Sequence, residues 1–176
     1  MKKIMIVDDN YLSAEGIEKN IDWETLNAEI IHVCYNGTSA IEAMKKEPAD
    51  LIISDIEMPD LDGISMSRQA LEINPMVKII LISAYDKFEY ARRALLLGAL
   101  DYIEKPLDYA YLIQKVKNAF ALMEKEQKNL QLLKQSRPLL TEKFFREITH
   151  LPSSEAAYRL KPYLKYLNLE DRKSVV

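Results

Sequence analysis

Histidine and cysteine are almost missing from this 176-residue chain, which has His32 and His150 and a single cysteine, Cys34. A lone cysteine forms no internal disulfide, and with two distant histidines it gives no zinc-type ligand spacing. Such a composition fits a reducing compartment, and all three residues read as structural. Long apolar runs are lacking too. The opening MKKIMIVDD meets two aspartates after four apolar residues, too soon for a signal peptide or a membrane span. The chain therefore reads as soluble and cytoplasmic, with no membrane partner. Positive charge is scarce in front: residues 1–125 carry 14 Lys and Arg against 21 Asp and Glu, net −7, whereas 126–176 carry 10 against 6, net +4. Nucleic-acid binding relies on Lys and Arg displacing counterions from phosphate, so the front part is poorly suited to touch DNA. The modest +4 of the tail reads as solvated helix faces. There is no internal repeat and no low-complexity stretch.

What is present is a chain with 48% hydrophobic and 29% charged residues, enough for one good core with an appendage and too apolar for wholesale disorder. Apolar runs of strand length recur at 4–7, 29–34, 51–54, 78–83 and 100–104. Between them, residues 11–21, 38–46, 63–73 and 87–97 have helical spacing, and a further helix begins near Asp108. Nearly continuous apolar strands joined by helices imply a parallel sheet covered on both faces. Five such units in about 120 residues favour a doubly wound α/β sheet, whose ligand site lies beyond the carboxyl ends of the strands.

Those ends carry reactive groups. Asp8 and Asp9 follow the first run, Asp55 the third, Ser83 the fourth, and Lys105 with Pro106 the fifth. Each has a plain alternative: Asp8, Asp9 and Asn10 as a helix-capping turn, Asp55 as the start of a turn through Met58-Pro59-Asp60 and Asp62-Gly63, Ser83 as a cap, Lys105 as a surface charge. Together the alternatives lose, because four strand ends would have to gain reactive groups by accident. Up to three carboxylates in one pocket are costly unless a divalent cation neutralises them. A small all-oxygen ligand set points to Mg²⁺. The remaining oxygen of Asp55 can then attack a phosphoryl group, giving an aspartyl phosphate. The cation on one side and the Lys105 ammonium on another supply the charge that phosphoryl transfer needs, and Ser83 can hydrogen-bond the transferred group.

The succession IMIVDD, LIISDIEMPDLDG, IILISAY and DYIEKP resembles the receiver domain of two-component response regulators, across residues 1–125. The resemblance implies a CheY-like, flavodoxin-like five-stranded parallel sheet in the order 2-1-3-4-5, followed by a helical extension. It implies Asp55 as phosphoacceptor, with Asp8, Asp9, Asp55 and the backbone carbonyl of Glu57 around Mg²⁺. Ser83 stands in the family's Ser/Thr position and Lys105 in that of its phosphate-contacting lysine. Tyr102 takes the position of the aromatic that changes rotamer on phosphorylation, or else packs plainly on the last strand. Glu57 departs from the neutral or basic residues more usual at its place, so it bears on phosphoryl lifetime. The implied partner is a histidine kinase, and the protein itself is a switch and not an enzyme.

The stretch SAYDKFEYARRALLLGALDYIEKPLD, residues 83–108, is similar to receivers whose output domain is of the AraC type, with two helix-turn-helix units. TEKFFREI at 141–148 and LNL at 167–169 resemble the connector that follows the receiver there. Residues 126–176 are accordingly expected to be a helical linker, and DNA to be reached only through an output domain outside this chain. The chain is expected to be a piece of a longer regulator.

From Ile113 a stripe through Val116, Phe120, Met123, Gln127 and Leu130 has heptad-like steps, with no Gly or Pro until Pro138. One helix is expected over Asp108–Ser136, then short helices at 139–150 and 154–167. The stripe is either intrachain packing or a seam between two chains. Dimerisation is the favoured reading, helped by Arg92 and Arg93 on the 87–97 helix. Two rivals remain: a phosphohydrolase with an aspartate nucleophile, for which Glu57 is the only nearby general acid, and an interaction module independent of phosphorylation.

Overall fold

The computed structural model describes residues 1–84, 92 and 98–148, of which 133–148 as backbone alone. Among these, the elements in chain order are β1 (Lys2–Val7), α1 (Tyr11–Asn20), β2 (Ala28–Cys34), α2 (Gly37–Lys46), β3 (Leu51–Asp55), α3 (Gly63–Ile73), β4 (Lys78–Ser83), β5 (Asp101–Glu104) and α4 (Tyr109–Ile148). The strands form one sheet in the order β2-β1-β3-β4-β5, and every neighbouring pair is parallel. This is the doubly wound, flavodoxin-like fold expected from the alternation of runs. The order of strands reverses between β1 and β3, so the crevice that such folds use lies beyond Val7 and Asp55.

The central strands are buried on both faces because helices cover both. All five residues of β3 are buried, as are five of the six of β4. Met5, Val7, Ile52, Ile79 and Leu81 join buried residues of α2 and α3 in one cluster. Strand alternation leaves Ile4, Ile6, Ile53 and Ile80, each fully buried, for the opposite face.

Short polar side chains start the helices. Asn10 accepts from the amides of Leu12 and Ser13, Asn36 from that of Ser39, and Asp62 from those of Ile64 and Ser65. Asp108 does the same for Ala110 and Tyr111, so the last helix starts one residue after its expected position.

Two expectations about that helix are corrected. It does not stop at Ser136 but runs through Pro138 to Ile148, absorbing most of the separate helix expected at 139–150. Pro138 removes one bond to the carbonyl four residues back, which a long run of good helix formers on either side outweighs. The buried register also differs from the stripe. Leu112, Val116, Ala119, Phe120 and Met123 are buried, Ile113 is half-buried, and Gln127 and Leu130 are exposed. The expected helix at 87–97, apart from the helical and exposed Arg92, the helix at 154–167 and His150 lie outside the described residues. By backbone contacts the chain divides into Met1–Leu122, which holds the whole sheet, and Met123–Val176. Among the described residues no helix is long and apolar enough to cross a membrane.

Candidate acidic site at the carboxyl rim

The rim gathers residues far apart in the chain. β1 ends in Val7, which delivers Asp8, and β3 ends in Asp55; both aspartates are buried, at 1% and 6% exposure. β5 leads into Lys105, whose amide donates to the carbonyl of Ser83 at 2.8 Å and so carries the β4–β5 pairing beyond the last strand residue. The Lys105 Nζ lies 3.0 Å from Asp8 Oδ2 and 2.5 Å from Asp55 Oδ2. The Lys105–Pro106 peptide is cis.

The two carboxylates are held in the same way. Asp8 Oδ1 accepts the amide of Asn10 at 2.9 Å, and Asp55 Oδ1 accepts the amide of Glu57 at 3.2 Å. In each, one oxygen is fixed by the amide two residues on, the turn that aspartate favours, and the other turns to the ammonium. Asp9 is exposed at the mouth. Oxygens of Asp8, Asp9 and Asp55 all lie within 4.8 Å of one another.

Charge is unbalanced here. Burial pushes the Asp8 carboxyl above its ordinary value; the bonds from Lys105 and Asn10 pull the other way without cancelling it, and the charge of Asp55 adds to the rise. For Lys105 burial is also the largest influence and works to lower its value, but the bonds to Asp55 and Asp8 together hold it above the usual lysine value. Among the described residues one ammonium thus stands against three carboxylates.

The β3–α3 loop, residues 56–62, shapes the floor. The Ile56 amide bonds the carbonyl of Ile82, the Gly63 amide bonds that of Ile56, both at 2.9 Å, and Asp60 takes a left-handed φ of 67°. A Cβ on Gly63 would stand 2.1 Å from the Asp55 carbonyl oxygen, so only glycine lets α3 begin this close to the phosphoacceptor candidate. Sequence reasoning read Asp62-Gly63 as turn chemistry and missed this contact. Glu57 is half-buried in the loop, and Ser83 is fully buried at the end of β4. Tyr102 is half-buried, pairs in register with Leu81 and packs against the cluster between sheet, α2 and α3. Beside Asp8 and Lys105 opens a cavity of about 340 Å³ walled by Leu12, Ile17, Pro106, Leu107 and Tyr109.

A flavodoxin-like sheet with buried acids and a lysine at its switch point defines a class of regulatory domain, and residues 4–117 match the family described as response regulator receiver domain. The chain belongs to that family. It is 29% identical over 126 residues to the uncharacterized transcriptional regulatory protein YesN of Bacillus subtilis, covering 72% of this chain and 34% of that protein. Among solved structures, the receiver domain of AraT, a response regulator from Geobacillus stearothermophilus, is 34% identical with a TM-score of 0.68, over 72% of this chain and 98% of that one. A two-component transcriptional regulator AraC from Clostridium phytofermentans is 30% identical with a TM-score of 0.65, over 73% and 99%. The chain spans between a third and a half of the length of the curated relatives it matches.

Proposed function

We propose that this chain is the phosphoacceptor switch of a two-component transcription regulator, with Asp55 taking a phosphoryl group from a partner histidine kinase. The observation that carries the reading is the meeting of Asp8, Asp55 and Lys105 from three different strand ends at hydrogen-bond distance in a largely buried spot. A structural ion pair needs one acid and one base. Here a third acid, Asp9, stands within reach of both, and among the described residues Lys105 is the base bonded to the buried pair.

The donor set suits a small hard cation. Three carboxylates with oxygens within 4.8 Å of one another are the ligands Mg²⁺ takes, the rest of its octahedron being water. Asp8, Asp9, Asp55 and the Glu57 carbonyl would hold it. When bound it supplies charge that screens the attacking carboxylate and the phosphoryl oxygens.

The chain's own groups do the remainder. The Glu57 amide fixes one oxygen of Asp55 and thereby aims the carboxylate. A carboxylate oxygen attacks phosphorus, the bond from phosphorus to the donor's imidazole nitrogen breaks, and the imidazole leaves with the electron pair. Lys105 then turns from carboxylate to phosphoryl oxygen, where its charge answers what has been transferred. Ser83 donates to another phosphoryl oxygen, and Tyr102, on β5, reports the change. The output is altered dimerisation or contacts with a DNA-binding domain of the AraC type, reached through residues 126–176, in the cytoplasm. The regulatory names of the relatives support this reading over a hydrolase, which would need a general acid and a substrate cap.

The test is incubation with acetyl phosphate and Mg²⁺. One added phosphoryl group by intact mass in wild type and none in Asp55→Ala is the expected result, with a shift in sedimentation for the phosphorylated form. No incorporation in wild type defeats the proposal.

A further inference from the structure

The β3–α3 loop is braced from outside as well as by its own hydrogen bonds. A Cβ built on Gly37, the first residue of α2, would fall 2.4 Å from the carbonyl oxygen of Leu61 and 2.9 Å from its Cβ. The obstacle is backbone, so it cannot rotate aside as the end of a side chain can. Nor can α2 easily retreat. Ala40, Ile41 and Met44 bury its inner face, and Asn36 ties its first turn by accepting the Ser39 amide at 2.8 Å.

The loop itself is short and closed. The Leu61 amide bonds the Pro59 carbonyl at 2.9 Å, and the Gly63 amide bonds that of Ile56 at 2.9 Å. The Ile56 amide anchors it to the Ile82 carbonyl at 2.9 Å, and the Glu57 amide ties it to Asp55 Oδ1 at 3.2 Å. A push at Leu61 therefore travels through a few closed turns to Glu57, and from its amide to the carboxylate of Asp55.

We propose that Gly37 is a positioning residue of the acidic site: its missing side chain lets α2 seat on Leu61, which holds the loop that aims Asp55 and carries the Glu57 carbonyl toward a divalent cation. This rests on the metal reading above. α2 contributes no ligand; it sets where a ligand-bearing loop comes to rest. Groups that orient metal ligands without touching the ion typically change affinity by about 10–100-fold.

The experiment is Mn²⁺ binding to the full chain, read by electron paramagnetic resonance beside thermal unfolding without metal. Gly37→Ala is expected to bind Mn²⁺ about tenfold more weakly. Leu61→Ala, which loosens the same contact from the other side, is expected to lose roughly threefold, below that range because the backbone contact stays. Ile41→Val removes a methyl group from the buried face of α2 and is expected to lower the unfolding midpoint while leaving Mn²⁺ affinity unchanged. Wild-type affinity in Gly37→Ala, or an equal loss in Ile41→Val, overturns the proposal. Should Gly37→Ala fail to fold, Leu61→Ala decides, and wild-type affinity there overturns it as well. Absence of Mn²⁺ uptake by the wild type is a different outcome, which brings down the metal reading together with this proposal.

Discussion

The two ends of the one sheet treat their acids in opposite ways. At the amino end Asp50 accepts the Lys3 amide at 2.8 Å, and its own amide and carbonyl bond Lys3 and Lys78 in turn. Nearby, Lys3 Nζ meets Glu47 Oε1 at 2.8 Å in the open. Asp50 and Glu47 thus have an amide and an ammonium respectively, and water reaches the charges. At the carboxyl end two buried aspartates share Lys105, and the exposed Asp9 stands within 4.8 Å of both. The difference is between acids paired singly and acids crowded together, the second being the set we propose for a ligand. Concentrating like charge in a buried place costs folding stability, and a positive or phosphorylated ligand arriving from outside would relieve that cost.

The largest way to break the comparison is to remove the acid at each end. Asp55→Ala is expected to lose all phosphoryl incorporation, whereas Asp50→Asn retains the wild-type rate and only loosens the β1–β3 junction, as intact mass and thermal unfolding would check. If Asp50→Asn proves equally inert, the two ends are not functionally distinct. Next in size is Lys105→Met. Losing a cation aimed at the transferring group is expected to slow phosphorylation by about 10²–10³-fold, measured with acetyl phosphate. It also leaves two buried carboxylates facing each other, and with the lysine side chain 24% exposed the stability lost without divalent cation is about 2 kcal/mol. Mg²⁺ is expected to restore most of that stability, and denaturant unfolding with and without Mg²⁺ reads it directly.

Much of this rim was legible before any coordinates. The runs IMIV, LIIS and KIILI end in Asp8, Asp55 and Ser83, and a parallel sheet brings all its carboxyl ends to one side, so topology alone gathers them. What stayed hidden depends on distance and not on order. That Lys105 bonds both aspartates follows from distances across the rim, and that a Cβ at Gly63 or Gly37 would strike the carbonyl of Asp55 or Leu61 follows from how closely α3 and α2 approach the β3–α3 segment, which no spacing in the chain encodes. The last helix misled for a similar reason. Pro138 reads locally as a stop, but one lost hydrogen bond is small against a forty-residue helix. The stripe from Ile113 to Leu130 was off by a residue at its start because Leu112, and not Ile113, takes the fully buried register.

A smaller effect has the opposite sign from most mutations in a core. Asp8→Asn removes a buried charge whose ionised form burial disfavours, and Lys105 still has Asp55. The variant is expected to be more stable than wild type by about 1 kcal/mol without divalent cation, while gaining little or nothing from added Mg²⁺. A destabilised Asp8→Asn would mean that the carboxylate serves the fold, and would erase the contrast between the two ends.

The finest distinction is in pH, read from carboxyl carbon shifts during an acid titration. Asp8 is held above its ordinary value, chiefly by burial, so the native protein keeps that proton longer than the unfolded chain does. Stability from this group is therefore lost as pH rises from the ordinary aspartate value through the raised one. Glu47 is held below its ordinary value, first by the hydrogen bond from Lys3. Its contribution is present above the ordinary glutamate value and is lost as pH falls through the depressed one. The two ends thus titrate with opposite signs: Asp8 is expected to protonate above the ordinary aspartate value and Glu47 below the ordinary glutamate value. The exposed pair is so well screened that Glu47→Gln is expected to leave both the unfolding midpoint and the phosphorylation rate where they were. An Asp8 midpoint at or below the ordinary aspartate value would show that Lys105 compensates Asp8 fully, leaving no surplus of charge at the rim for a cation to answer.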